Sequence, residues 1–114
     1  MVDRTMKGLY PILAMPFHDD GRINVEDLQR EVEFVIGAGA HGLGIALASE
    51  VFKLSEAERD LATRAVVEQT GGRVRVVINT GAQGTDLAIL YSRRAEELGA
   101  DAVMVAPPTI VPTT

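Results

Sequence analysis

The chain contains no cysteine and no tryptophan. The first absence excludes disulfides, thiolate nucleophiles and cysteine-ligated metals. Positive charge is scarce too: 11 Lys and Arg stand against 16 Asp and Glu, for a net charge of −5. A nucleic-acid surface needs clustered Lys and Arg in excess. The basic pairs Arg73/Arg75 and Arg93/Arg94 read instead as solvated faces. No run approaches the ~20 apolar residues of a membrane span, and the opening MVDRTMKGLY lacks the apolar core of a signal peptide. The expectation is a cytoplasmic chain with neither nucleic acid nor membrane as partner. What is present is 114 residues, 46% apolar and 24% charged. That suffices for one domain with a modest core and falls short of two.

Glycine and proline punctuate a regular alternation. Leu9–Ala14 is a short apolar run ended by Met15-Pro16, which suits a strand with its flanks outside the ladder. His18-Asp19-Asp20-Gly21 reads as a turn. Its histidine and aspartates are too close in sequence to converge on one ion, so no metal is expected. Asn24 is placed to cap a first helix, with Asp27 three residues on and a stripe of Val25, Leu28, Val32, Val35 and Ile36. Leu43–Leu47 is apolar without alternation, the pattern of a strand buried on both faces.

Ser55 and Glu58 form a capping box that starts a second helix, with Leu61, Ala62, Ala65 and Val66 as its inward stripe. Gly71-Gly72 ends it, and Val74–Ile78 reads as a third strand. Thr85 is the expected cap of a third helix with a stripe of Leu87, Leu90, Tyr91, Ala95 and Leu98; Ala102–Ala106 then reads as a fourth strand. Both tyrosines, Tyr10 and Tyr91, are expected in the core or at its edge. The order is β-α-β-α-β-α-β with near-uniform spacing, as a right-handed parallel ladder requires. Gly39-Ala40-His41-Gly42-Leu43 is echoed in Gly99-Ala100-Asp101-Ala102-Val103, a repeat that fits an α/β barrel or an open doubly wound sheet. Four such strands with three helices leave open edges, so the chain is expected to be the leading part of a larger fold.

The loops after the strands are where ligands sit in parallel α/β folds. They are Pro16-Phe17-His18, Ala48-Ser49-Glu50, Asn79–Gly84 and Pro107-Pro108-Thr109. Ser49 can donate to a substrate carboxylate, and Glu50 reads either as an acid or as a loop anchor. The glycine-rich third loop lies at a helix start, where amides hold anions. It lacks the lysine of a P-loop, which weakens a nucleotide reading of Gly81–Thr85. Lys7 and Lys53 lie outside the buried strands, where desolvation would prepare an amine for Schiff-base work.

Several stretches, in this order and spacing, resemble one family: G-L-Y-P-I-L-A-M-P-F, V-E-F-V-I-G-A-G-A-H-G-L, S-E-V-F-K-L-S-E-A-E-R, V-V-I-N-T-G-A-Q-G-T and A-E-E-L-G-A-D-A-V-M-V-A-P-P. They are similar to the dihydrodipicolinate synthase / N-acetylneuraminate lyase family, from Gly8 to Pro108. The resemblance implies the first half of a (β/α)8 (TIM) barrel, residues 1–114 being its amino-terminal part to the fourth strand. It implies a class I aldolase that holds pyruvate or a related 2-oxo acid as a Schiff base, without cofactor or metal, in a homotetramer. The family's lysine and proton-shuttling tyrosine lie on later strands, so no catalytic residue is expected within residues 1–114, and these residues alone are expected to be inactive.

The resemblance assigns substrate contacts to Ala48, Ser49, Asn79, Thr80 and Thr109. Several of these depart from the family pattern. Leu47-Ala48 stand where a threonine pair is usual, Ser49 and Asn79 where glycine is usual, and Met15 where threonine precedes the proline. Thr109-Ile110 replace the aromatic residue that follows Pro-Pro. Two other readings remain: a non-catalytic half-barrel that assembles through its open edges, and an anion- or nucleotide-binding α/β module.

Overall fold

The computed structural model describes residues 7–45, 54–82 and 84–105. Within them the order is α1 (Val25–Gly37), β1 (Gly42–Ile45), α2 (Glu56–Thr70), β2 (Arg75–Asn79), α3 (Thr85–Glu97) and β3 (Ala102–Met104). The three strands lie side by side in chain order, all parallel. Ile45 stands opposite Ile78, and Val77 opposite Ala102.

The run Leu9–Ala14 is not a regular strand, contrary to the expected four. It lies along β1 with a single parallel bridge, Ile12 to Gly44. Leu13 N–H donates to Gly44 O at 2.9 Å, and Gly44 N–H donates to Pro11 O at 3.0 Å. Pro11 has no N–H to give, and Leu9 O is shared between the N–H groups of His41 and Gly42. The ladder is therefore too interrupted to count as a strand. The other strands shift slightly. The second begins at Gly42 and is described to Ile45; the third is Arg75–Asn79; the fourth is Ala102–Met104, with Val105 already outside it and Ala106 beyond the described residues.

The first two helices form where their caps are written. Asn24 Oδ1 accepts from Asp27 N–H at 3.0 Å. Ser55 Oγ accepts from Glu58 N–H at 3.2 Å, and Glu58 Oε1 accepts in return from Ser55 N–H at 2.9 Å. Gly71, in the left-handed region at φ 58°, closes α2. Leu28 and Val32 of α1 are fully buried beside Ala62, Ala65 and Val66 of α2. Leu61 departs from the expected stripe and is 42% exposed.

The third helix departs further. Its N-cap is Gly84, which offers no side-chain bond, and Thr85 is already helical. Of the expected stripe only Ala95 is buried; Leu87 and Leu90 are exposed, as is Ile89. Periodicity identifies an apolar face but does not supply a partner for it.

Leu43, Ile45, Val76 and Ile78 form the sheet's share of the core. The opposite face carries Gly44, Ile12 and Val77. A Cβ on Gly44 would stand 2.9 Å from Val77 O and 3.3 Å from Ile12 Cδ1, so the strands approach too closely there for any side chain. At the amino end of β3, Asp101 N–H donates to Val76 O at 2.8 Å, and Val76 N–H donates to Asp101 Oδ2 at 2.8 Å.

Candidate functional site at the carboxyl ends of the strands

Parallel strands place their following loops on one side of the sheet. The best described of these follows β2. Asn79 and Thr80 are both buried. Asn79 Oδ1 accepts from Gly81 N–H at 2.9 Å, an Asx turn that bends the chain out of the sheet. Thr80 N–H donates to Met104 O at 3.0 Å, tying this turn to the end of β3. The Thr80 hydroxyl lies 2.7 Å from Ser92 Oγ on α3. These two residues therefore brace strand, neighbouring strand and helix at one point. The cavity beside them, also lined by Ile45, Ile78 and Tyr91, measures about 30 Å³. That is room for about one water, and too little for a 2-oxo acid.

Of the five expected substrate contacts, the structure brings together Asn79 and Thr80. Ala48, Ser49 and Thr109 lie outside the described residues, as does Glu50. Ser92 escaped the sequence reading. Its signal is slight: it follows Thr85 by seven residues, two helical turns, and only the strand-helix packing shows which hydroxyl it meets.

The turn after the first segment is closed by backbone bonds, His18 N–H to Arg22 O at 2.7 Å and Gly21 N–H to His18 O at 2.9 Å. Asp20 is committed to Arg22, accepting from its N–H at 3.0 Å and its Nε at 2.7 Å. The backbone N–H is the main cause that holds this carboxyl below its ordinary value. Among the described residues, no three His, Asp or Glu side chains gather in a way that could hold a metal ion. Nor is any helix among them long and apolar enough to cross a membrane.

Two further groups frame this end of the molecule. Glu31 Oε1 accepts from Ala14 N–H at 3.0 Å, and burial pushes its carboxyl up from the ordinary value. Arg59 of α2 stacks over the Tyr91 ring of α3 at 4.2 Å, while Arg94 Nε donates to Asp60 Oδ2 at 3.0 Å. These contacts link two helices whose apolar contact is small.

Residues 5–114 match the model of the dihydrodipicolinate synthetase family. The chain is 39% identical to an L-2-keto-3-deoxyarabonate dehydratase of Azospirillum brasilense over 103 residues, which is 90% of this chain and 33% of that protein. It is 39% identical to a 4-hydroxy-tetrahydrodipicolinate synthase of Stenotrophomonas maltophilia over 111 residues, 96% of this chain and 37% of that one. Among solved structures, a putative dihydrodipicolinate synthetase from Pseudomonas aeruginosa superposes with a TM-score of 0.92 at 26% identity, covering 96% of this chain and 38% of its own. A dihydrodipicolinate synthase from Aquifex aeolicus gives 0.88 at 27%, covering 95% and 37%. The chain thus spans about a third of the length of the curated relatives it matches.

Proposed function

The chain belongs to the dihydrodipicolinate synthetase family, and on that premise we propose that it supplies the amino-terminal part of a Schiff-base-forming lyase acting on pyruvate or a related 2-oxo acid. The observation that carries this reading is the family match across residues 5–114, together with a parallel βα layer that superposes on barrels of the family. In this proposal residues 1–114 belong to a single barrel domain, and the Schiff-base lysine lies outside them. Ala48, Ser49, Asn79, Thr80 and Thr109 stand on the substrate rim, and the complete enzyme is a cytoplasmic homo-oligomer. Asn79 and Thr80 serve there by fixing the end of β2, since their oxygens are engaged by Gly81 and Ser92. The relatives include both a dehydratase and a synthase, so 2-oxo acid chemistry is the shared expectation.

The test is a chimera that joins residues 1–114 to the remaining two-thirds of the Stenotrophomonas relative. Borohydride reduction with labelled pyruvate is expected to label a lysine in the added part and to leave the 114-residue chain alone unlabelled. Label on Lys7 or Lys53 of the isolated chain would overturn the placement of the nucleophile. A folded chimera that traps no 2-oxo acid would overturn the proposed chemistry.

A further inference from the structure

Ala88, Ser92 and Ala95 fall on one face of α3, at i, i+4 and i+7. Ala88 and Ser92 are partly buried and Ala95 is buried, while Leu87, Ile89 and Leu90 are exposed. Ser92 is the polar member of this narrow inner strip. Serine is a poorer helix former than alanine. In mid-helix its hydroxyl ordinarily turns back to a carbonyl of its own helix or out to water. Here it lies 2.7 Å from Thr80 Oγ1, twelve residues earlier in the chain.

Thr80 is 1% exposed, so no solvent stands ready to replace that partner. A buried hydroxyl left without one is costly. The rest of the turn is committed elsewhere: Thr80 N–H donates to Met104 O, and Gly81 N–H to Asn79 Oδ1. Those two bonds tie the turn to the sheet and to itself. The bond with Ser92 ties it to the helix that follows. No side chain caps α3 at Gly84, so the start of the helix does not supply that tie.

We propose that Ser92 is a positioning residue for the substrate rim: its hydroxyl, through Thr80, holds the Asn79–Gly81 turn in place against α3. The proposal rests on the Schiff-base reading above and adds to it a residue set back from the rim. Ser92 itself touches no substrate and acts through the turn alone.

The first test is amide hydrogen exchange, followed by NMR, on the full 114-residue chain and its Ser92→Ala and Ser92→Thr variants. In Ser92→Ala the Thr80 and Gly81 amides are expected to exchange about three- to tenfold faster, the factor for one neutral hydrogen bond. The Val76 amide, bonded to Asp101 at the other end of the same strand, is expected to keep its rate. Ser92→Thr restores the hydroxyl and should return the turn to the parent rates. Thr80→Val should match Ser92→Ala, and the double variant should add nothing further, since both remove one bond. A general loss of stability would instead quicken all three amides alike.

The second test places the same variants in the chimera described above. Ser92→Ala should raise the pyruvate concentration for half-maximal trapping about three- to tenfold and leave the final label unchanged, with Ser92→Thr restoring the parent value. Turn amides that keep their rates in Ser92→Ala, or a Val76 amide that quickens with them, would overturn the proposal. So would an unmoved half-trapping concentration. A chimera that retains Ser92 and traps no 2-oxo acid would overturn the chemistry, while faster turn amides in Ser92→Ala would still establish the brace.

Discussion

The helices α1 and α3 are each 13 residues long, and each sits in a βα unit of one parallel sheet. They are held very differently. α1 begins on Asn24, whose side chain bonds the first turn, and buries Leu28 and Val32 completely. α3 begins on Gly84 with no side-chain cap, and only Ala95 is buried. Its leucines face outward, and polar contacts hold it in their place: Thr80 to Ser92, Asp60 to Arg94, and Arg59 over Tyr91. A helix can thus take its place in a layered fold by burial or by a few directional contacts. Only the first makes it a large contributor to stability.

The widest separation between the two helices is expected in their leucines. Leu28→Ala should cost about 2–5 kcal/mol, the range for emptying a fully buried site. Leu90→Ala should change stability by less than about 0.5 kcal/mol, as exposed positions do. Urea denaturation of both variants checks this, and similar losses would erase the contrast. The sheet beneath is next. Gly44→Ala places a methyl against Val77 O and should destabilise by about 1–3 kcal/mol, the range for overpacking.

The caps give a smaller effect. Asn24→Ala should cost about 1 kcal/mol, whereas Gly84→Asp should gain roughly a few tenths by supplying the missing cap. Thermal melts resolve the pair, and a loss from Gly84→Asp would show that α3 does not use that position as a cap.

The smallest effects are electrostatic and opposite in sign on a single helix. The Arg73 side chain holds Glu33 below its ordinary 4.5. The stability that Glu33 contributes is therefore present above 4.5 and is lost as pH falls through its lowered folded value. Burial raises Glu31 above 4.5, so its contribution is present below 4.5 and is lost as pH rises through its raised folded value. Denaturation across about pH 3–6 should show Glu33→Gln flattening the acid-side fall. Glu31→Gln should be more stable than the parent at neutral pH, because the amide still accepts from Ala14 N–H.

The parts legible in the sequence were those with local chemistry behind them. Asn24-x-x-Asp27 and Ser55-x-x-Glu58 name the atoms that bond, and both helices begin there. Strand order followed from spacing and glycine punctuation. Leu9–Ala14 has the apolar character of a strand, although Pro11 removes a donor the ladder needs. The spacing of the α3 leucines predicts a core face that the structure leaves outward, because a 3.6-residue period is blind to what stands opposite. At the site, Asn79 and Thr80 could be named from their position after β2. Their partners could not, because the Thr80–Ser92 contact joins residues twelve apart through tertiary packing alone.

The bond between Asp101 and Val76 sets the phase of the last strand. Asp101 presents its own N–H and its carboxylate to both polar groups of one residue, so two bonds close only when that exact pair meets. A one-residue slip would break both bonds and turn every side chain of β3 to the wrong face. Parallel strands meet late, after a long excursion of chain, when many offsets compete. Asp101 makes the correct offset self-checking: a strand that arrives misaligned carries an unmatched carboxylate to the sheet, and only the aligned one delivers it to an N–H.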